Sequence, residues 1–242
     1  INFWFGKKQA NSLRKLSFAI SNHKGAYNDL LKVAFSRLII TKTKGASLAA
    51  DVSHSRPHRV YEKNDFDVLT SFANSCDALA KIFEKQKPKG KINVQLGDAR
   101  NLKEVSDNSI SAIITSPPYL NALDYMRGHK LSLVWLGHKI DELGSVRSNS
   151  VGVEKAPDSV ADLQLATELT QGITHLEKLP QRKQSMIKRY ALDMYGVVEE
   201  SARVLEKQGK ATFVVGNSCI NKIFVENALI VRNSCQMVGL RL

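Results

Sequence analysis

The chain has 242 residues, 43% of them hydrophobic, enough for one sizeable α/β domain with an insertion or for two small domains. No apolar run approaches the roughly 20 residues of a membrane span and nothing resembles a secretory signal, so both readings are set aside. The net charge of +12 is unevenly spread: residues 1–64 hold twelve Lys/Arg against three Asp/Glu, and the remainder contributes only +3. A basic N-terminal third suits a surface that meets a polyanion, the alternative being a solvated lysine-rich face. Cys76, Cys219 and Cys235 are far apart and form no CxxC pair, which fits reduced, mostly buried thiols in a cytoplasmic protein.

In chain order, Trp4 and Phe5 read as core or interface residues. The spacing predicts helices over 8–22 (Leu13, Leu16 and Ile20 on one face) and 25–40 (Leu30, Val33, Ala34, Arg37 and Leu38). A polar, turn-rich loop follows, then a helix over 65–86 stopped by Pro88-Lys89-Gly90. These elements form a basic helical segment, 1–88.

From 89 the pattern changes. "KINVQL" (91–96) alternates like a strand and ends at Gly97-Asp98, and "SISAIIT" (109–115) is a second short strand. Residues 123–137 read as a helix, 138–184 as an irregular insertion with a short helix near 160–170. A strong helix over 185–206 carries Ile187, Tyr190, Met194, Val198 and Leu205 on one stripe, with Gly209 placed as its C-cap glycine. "KATFVV" (210–215) is a strand, 222–236 a helix, and "VGLRL" the start of another strand. Strands alternating with helices argue for an α/β fold with a doubly wound, mostly parallel sheet over 89–242.

In such a sheet, ligands gather beyond the carboxyl ends of the strands. Gly97-Asp98, Ser116-Pro117-Pro118-Tyr119 and Gly216-Asn217-Ser218 all fall at that edge. Two prolines fix two φ angles and remove two backbone donors, and Pro117 biases Ser116 away from helix. The corner can offer a carbonyl and a hydroxyl to a donor group and the flat face of Tyr119 to a ring. An exocyclic amine of a nucleobase needs such partners, because its lone pair is delocalised and two acceptors on its hydrogens free it. Stacking on Tyr119 would hold a base flipped from its duplex. The alternative is a structural proline corner.

"GDARNL…SISAIITSPPY" resembles the S-adenosylmethionine-dependent amino-group DNA methyltransferases, and the Ser-Pro-Pro-Tyr form resembles their cytosine-N4 branch. "RVLEKQGKATFVVGNS" is similar to a later helix-turn-strand of many S-adenosylmethionine methyltransferases, so the similarity runs from about residue 90 to 242. The resemblance implies a Rossmann-like sheet, S-adenosyl-L-methionine as methyl donor, and double-stranded DNA with a flipped target base as substrate. It implies a catalytic corner of Ser116, Pro117, Pro118 and Tyr119, with Ser116 and the Pro117 carbonyl holding the amine. Asp98 would accept from the cofactor adenine, with Ala99 and Thr115 beside it; the alternative for Asp98 is a turn or helix-cap aspartate. It also implies a restriction-modification setting, with a restriction-system partner or a homodimer.

One feature departs from that family, whose glycine-rich turn lets backbone approach the cofactor. The fourteen glycines of this chain never stand closer than seven positions. The chain also begins at Ile1 without a methionine, which reads as a piece of a longer protein or as one from which residues have been removed. Arg127, His129 and Lys130 follow the corner and could contact phosphates beside the flipped nucleotide, or form a solvated helix face. In "SHSRPHR" (53–59), Arg56 and Arg59 suit a phosphate-contacting basic loop; His54 and His58 have metal-like spacing but no Cys or carboxylate set, so no metal is expected. "VRSNSVGVE" (146–154) reads as a polar surface loop, the alternative being part of a substrate-facing insertion. The expectation is methyl transfer to cytosine N4 in DNA, with adenine N6, an RNA base amine, and a catalytically inactive nucleic-acid-binding subunit as alternatives.

Overall fold

The computed structural model describes residues 2–41, 44–49, 59–85, 89–120, 125–151 and 157–241. They fall into two compact units: Ile1–Asn93 with Asp124–Arg147, and Val94–Leu123 with Ser148–Leu242. Among the described residues, no helix is long and apolar enough to cross a membrane.

The first unit is helical. Helix α1 (Lys7–Asn22) buries Gln9, Ala10, Leu13 and Ile20, the stripe that its 3.6-residue spacing dictates. Helix α2 (Asn28–Ser36) buries Ala34 and Phe35, whereas Val33 and Arg37 of the expected face are exposed. The face is turned because Phe35 brings more apolar surface to the core than Val33 can. Helix α3 (Val68–Lys85) begins at Asp67, whose carboxylate accepts from the Leu69 and Thr70 amides at 3.1 and 3.3 Å. Helix α4 (Tyr125–Trp135) places Trp135 edge-on to Phe5, centroids 5.3 Å apart, so Phe5 is core; Trp4 packs against the same cluster. Helix α5 (Ile140–Ser148) forms where an irregular stretch is expected, its acidic first turn, Asp141 and Glu142, favourable to the helix dipole.

The second unit mixes helix and strand. Strand β1 (Ile110–Thr115) pairs in parallel with β2 (Leu205–Phe213), in the register Ala112 to Lys210 through Thr115 to Phe213. Between them in sequence lie α6 (Val160–Leu169), a 3-10 turn (Leu176–Lys178) and α7 (Gln181–Val204). Helix α7 buries Ile187, Tyr190, Met194 and Val198 as expected, in a core with Leu120, Leu169 and Ile230. Strands β3 (Ser218–Ile220) and β4 (Ile223–Val225) form an antiparallel hairpin, and α8 (Asn227–Met237) follows.

The parallel pair is of α/β character, but a full doubly wound sheet does not form among the described residues. Four expectations are corrected. Residues 91–96 form no strand and pair with nothing described, and Ile92, Val94 and Leu96 are exposed; alternation suits a strand, but a strand also needs a neighbour. The expected helix over 222–236 starts only at Asn227, because Asn221 and Lys222, at φ 50° and 67°, make the hairpin turn. Gly209 lies inside β2 rather than capping α7: a Cβ there would sit 2.8 Å from the Leu205 side chain, at an irregularity in the pairing. Residues 238–241 turn at Gly239, φ 79°, and form no strand.

Candidate active site

The stiff corner after β1 is anchored from below by the sheet. The Thr115 carbonyl accepts from the Val214 amide at 2.8 Å, one step past the last β1–β2 pair. Ser116 is then exposed, Pro117 buried, and Pro118 and Tyr119 half-buried. The Ser116 hydroxyl donates to the Val214 carbonyl at 3.2 Å and lies 3.3 Å from the Tyr119 hydroxyl. Serine and tyrosine hydroxyls therefore share one edge, and the two prolines between them hold no amide hydrogen that could compete for their oxygens.

The loop after β2 packs on the same corner. A Cβ on Gly216 would stand 3.2–3.4 Å from three atoms of the Tyr119 ring, so the glycine lets backbone approach that ring closely. Asn227, fully buried at the start of α8, donates from Nδ2 to the Gly216 carbonyl and the Ser218 hydroxyl, both at 2.8 Å. Ser218 in turn donates to the Leu120 carbonyl at 2.7 Å. The Ser116–Tyr119 and Gly216–Ser218 signals read from the sequence are thus brought together. Asn227 was not legible there, since an Asn after a short apolar run carries no periodic or motif signal.

Behind the corner, Tyr190 of α7 is fully buried, and its hydroxyl has no hydrogen-bond partner among the described residues. Burial and the nearby Tyr119 phenol push its ionisation well above the usual tyrosine range.

The third signal, Asp98, is occupied differently. Its Oδ1 accepts from the Arg100 amide at 2.9 Å and from Arg100 Nε at 3.0 Å; its Oδ2 accepts from Nη2 at 2.7 Å and from Nε at 3.2 Å. These contacts hold the Asp98 carboxyl below the usual aspartate range. Arg100 also donates to buried Asp193 at 2.8 Å and to the Asn149 carbonyl at 2.6 Å. The residue two positions after Asp98, unremarkable in sequence, thus joins that loop to α7. A carboxylate has about four acceptor directions, and here they are spent on Arg100. Ala99 is exposed, and the Thr115 carbonyl is used by the sheet. In this arrangement the Asp98 oxygens are engaged by Arg100 rather than open to an adenosyl group.

Of the expected phosphate contacts, His129 and Lys130 are exposed on α4. Arg127 is on the same helix, its side chain outside the described residues, and Arg56, His54 and His58 lie outside them altogether. Arg59 donates to the Tyr61 and Glu62 carbonyls at 3.0 and 3.1 Å and stands 6.0 Å from the Phe3 ring centroid. Arg59 and α4 belong to the first unit, the corner to the second. Among the described residues no cluster of His, Cys, Asp or Glu could hold a metal ion.

Over 41 residues, 17% of its length, the chain is 49% identical to the Type II methyltransferase M.BsoBI of Geobacillus stearothermophilus. That stretch is 8% of the relative's own length, so the chain matches only a small part of it. No family model matches the chain, and no solved structure does.

Proposed function

We propose that this chain holds the target base of a DNA methyltransferase that modifies an exocyclic amine, with cytosine N4 as the acceptor. The observation that carries the reading is the rigid corner, where the Ser116 and Tyr119 hydroxyls stand 3.3 Å apart and Gly216 packs on the Tyr119 ring. The short identity to a Type II methyltransferase supports the same class of reaction.

The chemistry falls to the chain's own atoms. The Ser116 oxygen and the Pro117 carbonyl accept the two amine hydrogens, drawing the nitrogen from planar towards tetrahedral and localising its lone pair. The Tyr119 face stacks on the flipped ring and fixes its plane, so the gain is mainly one of orientation. Serine is a short, neutral acceptor, and the small pyrimidine can approach it closely; that favours cytosine over adenine. A methyl donor of the S-adenosylmethionine kind would supply the methyl group to the lone pair so exposed.

A second reading, a nucleic-acid-binding subunit without catalysis of its own, is favoured by the engagement of Asp98 with Arg100. One experiment separates the two. Duplex DNA treated with the protein and S-adenosylmethionine is digested to nucleosides and analysed by mass spectrometry. N4-methylcytosine, lost by at least about 100-fold in Ser116→Ala and Tyr119→Ala, is the expected result. N6-methyladenine alone overturns the choice of base, and a modified base in RNA alone overturns the choice of nucleic acid. Binding without any modified base establishes the second reading.

A further inference from the structure

Helix α1 has a face that neither the core nor the corner uses. At 100° per residue, Lys7, Asn11, Arg14, Lys15, Phe18 and Asn22 fall within an arc of about 100°, opposite the buried stripe. All six are exposed, and Phe18, at the middle of the arc, is 72% exposed. Residues 1–28 contain five Lys/Arg and no Asp or Glu. Among the described residues, Lys7, Arg14 and Lys15 form no ion pair; Arg14 donates only to Asn11, at 2.9 Å. The charges do not serve the helix itself. Lys7 and Lys8 stand in the first turn, where the dipole disfavours cations, and neither an acidic residue nor a side-chain cap offsets them. Lys8 differs from the others in facing Asp67, whose carboxyl its charge helps to lower.

We propose that this face of α1 is a nucleic-acid surface, on which Lys7, Arg14 and Lys15 meet phosphates of a duplex and Phe18, one turn beyond Arg14, packs against an adjacent sugar. Lys7 and Arg14 are seven residues apart, about 10.5 Å along the helix. That is close to the axial run of three nucleotides at about 3.4 Å each. Cations lacking partners release counterions from DNA, and an exposed aromatic among them adds contact that does not depend on salt. The surface rests on the reading that DNA is the substrate, and it supplies backbone contacts rather than recognition of sequence.

The test is equilibrium binding of the full chain to a fluorescent duplex across potassium chloride concentrations. Replacing Lys7→Gln and Lys15→Gln together lowers the slope of log affinity against log salt by about 1.8, at about 0.9 per lost phosphate contact. Phe18→Ala weakens binding several-fold with the slope unchanged. The paired control, Lys207→Gln with Lys210→Gln on β2, removes the same charge and leaves the slope in place. An unaltered slope in the α1 variant, or an equal fall in the control, overturns the surface. So does loss of binding to phosphatidylserine vesicles with duplex affinity retained, which would make α1 a membrane face. A protein that methylates DNA while the α1 variant keeps its slope refutes this surface alone. One that binds through α1 and leaves DNA unmodified refutes the proposed reaction alone.

Discussion

Asn227→Ala tests how the corner's second loop is held. The side chain is fully buried and donates two hydrogen bonds of 2.8 Å, to the Gly216 carbonyl and the Ser218 hydroxyl. Each such bond contributes about 0.5–1.5 kcal/mol net, and acceptors left dry cost more. With the lost packing, the expected destabilisation is about 2–4 kcal/mol. At a urea dependence of about 2 kcal/mol per molar, the midpoint seen by far-UV circular dichroism falls by about 1–2 M. Asn217→Ala is the comparison: its side chain is exposed and accepts one bond, from the Ala228 amide at 3.2 Å. That variant is expected to move the midpoint by less than about 0.5 M. Equal shifts in the two, or an Asn227→Ala midpoint within about 0.2 M of the parent, would refute the tie.

Gly216→Val drives side-chain atoms into the Tyr119 ring; base modification is expected to fall as far as in Tyr119→Ala, as nucleoside mass spectrometry would read. Arg100→Met takes the 2.8 Å partner from buried Asp193, which still has Arg189 at 3.4 Å, and is expected to cost about 2–4 kcal/mol in urea unfolding. Asp98→Asn, at a half-exposed pair, costs under about 1 kcal/mol in the same assay. Glu200 accepts from Arg203 and from the Leu102 amide, which lower its pKa from 4.5 to about 2. The folded value lies below the unfolded one, so this stabilisation is complete above about 4.5 and is lost as pH falls towards about 2; Glu200→Gln should flatten the acid limb of a melting-temperature profile over that window.

The corner was legible because its signal is local: an apolar run stopped by two prolines reads the same in sequence and in space. Helix α7 was legible for a related reason, since Ile187, Tyr190, Met194 and Val198 repeat at helical spacing and all meet the core. Residues 91–96 carry an equally clear period, yet pairing depends on a neighbour that the period does not name. Gly209 shows the same limit, because a glycine after a helix suits a cap and a strand irregularity alike until the pairing register decides. The ties made by Arg100 and Asn227 are products of tertiary contact. Arg100 reaches Asp193 across 93 positions of sequence, and Asn227 reaches Gly216 across eleven, without any shared motif.

The corner's anchors also set when it can form during synthesis. Ser116 meets the Val214 carbonyl, and Leu120 meets Ser218, each across 98 positions. Closing a loop of that length costs about 4 kcal/mol of chain entropy before either contact exists. Parallel pairing of β1 with β2 carries the same delay, since no tight turn can join them. A nascent chain therefore exposes Ser116-Pro117-Pro118-Tyr119 long before those residues have a geometry. The corner becomes a site only after β2 and the start of α8 leave the ribosome, whereas the short-range helices of the N-terminal unit can already have folded.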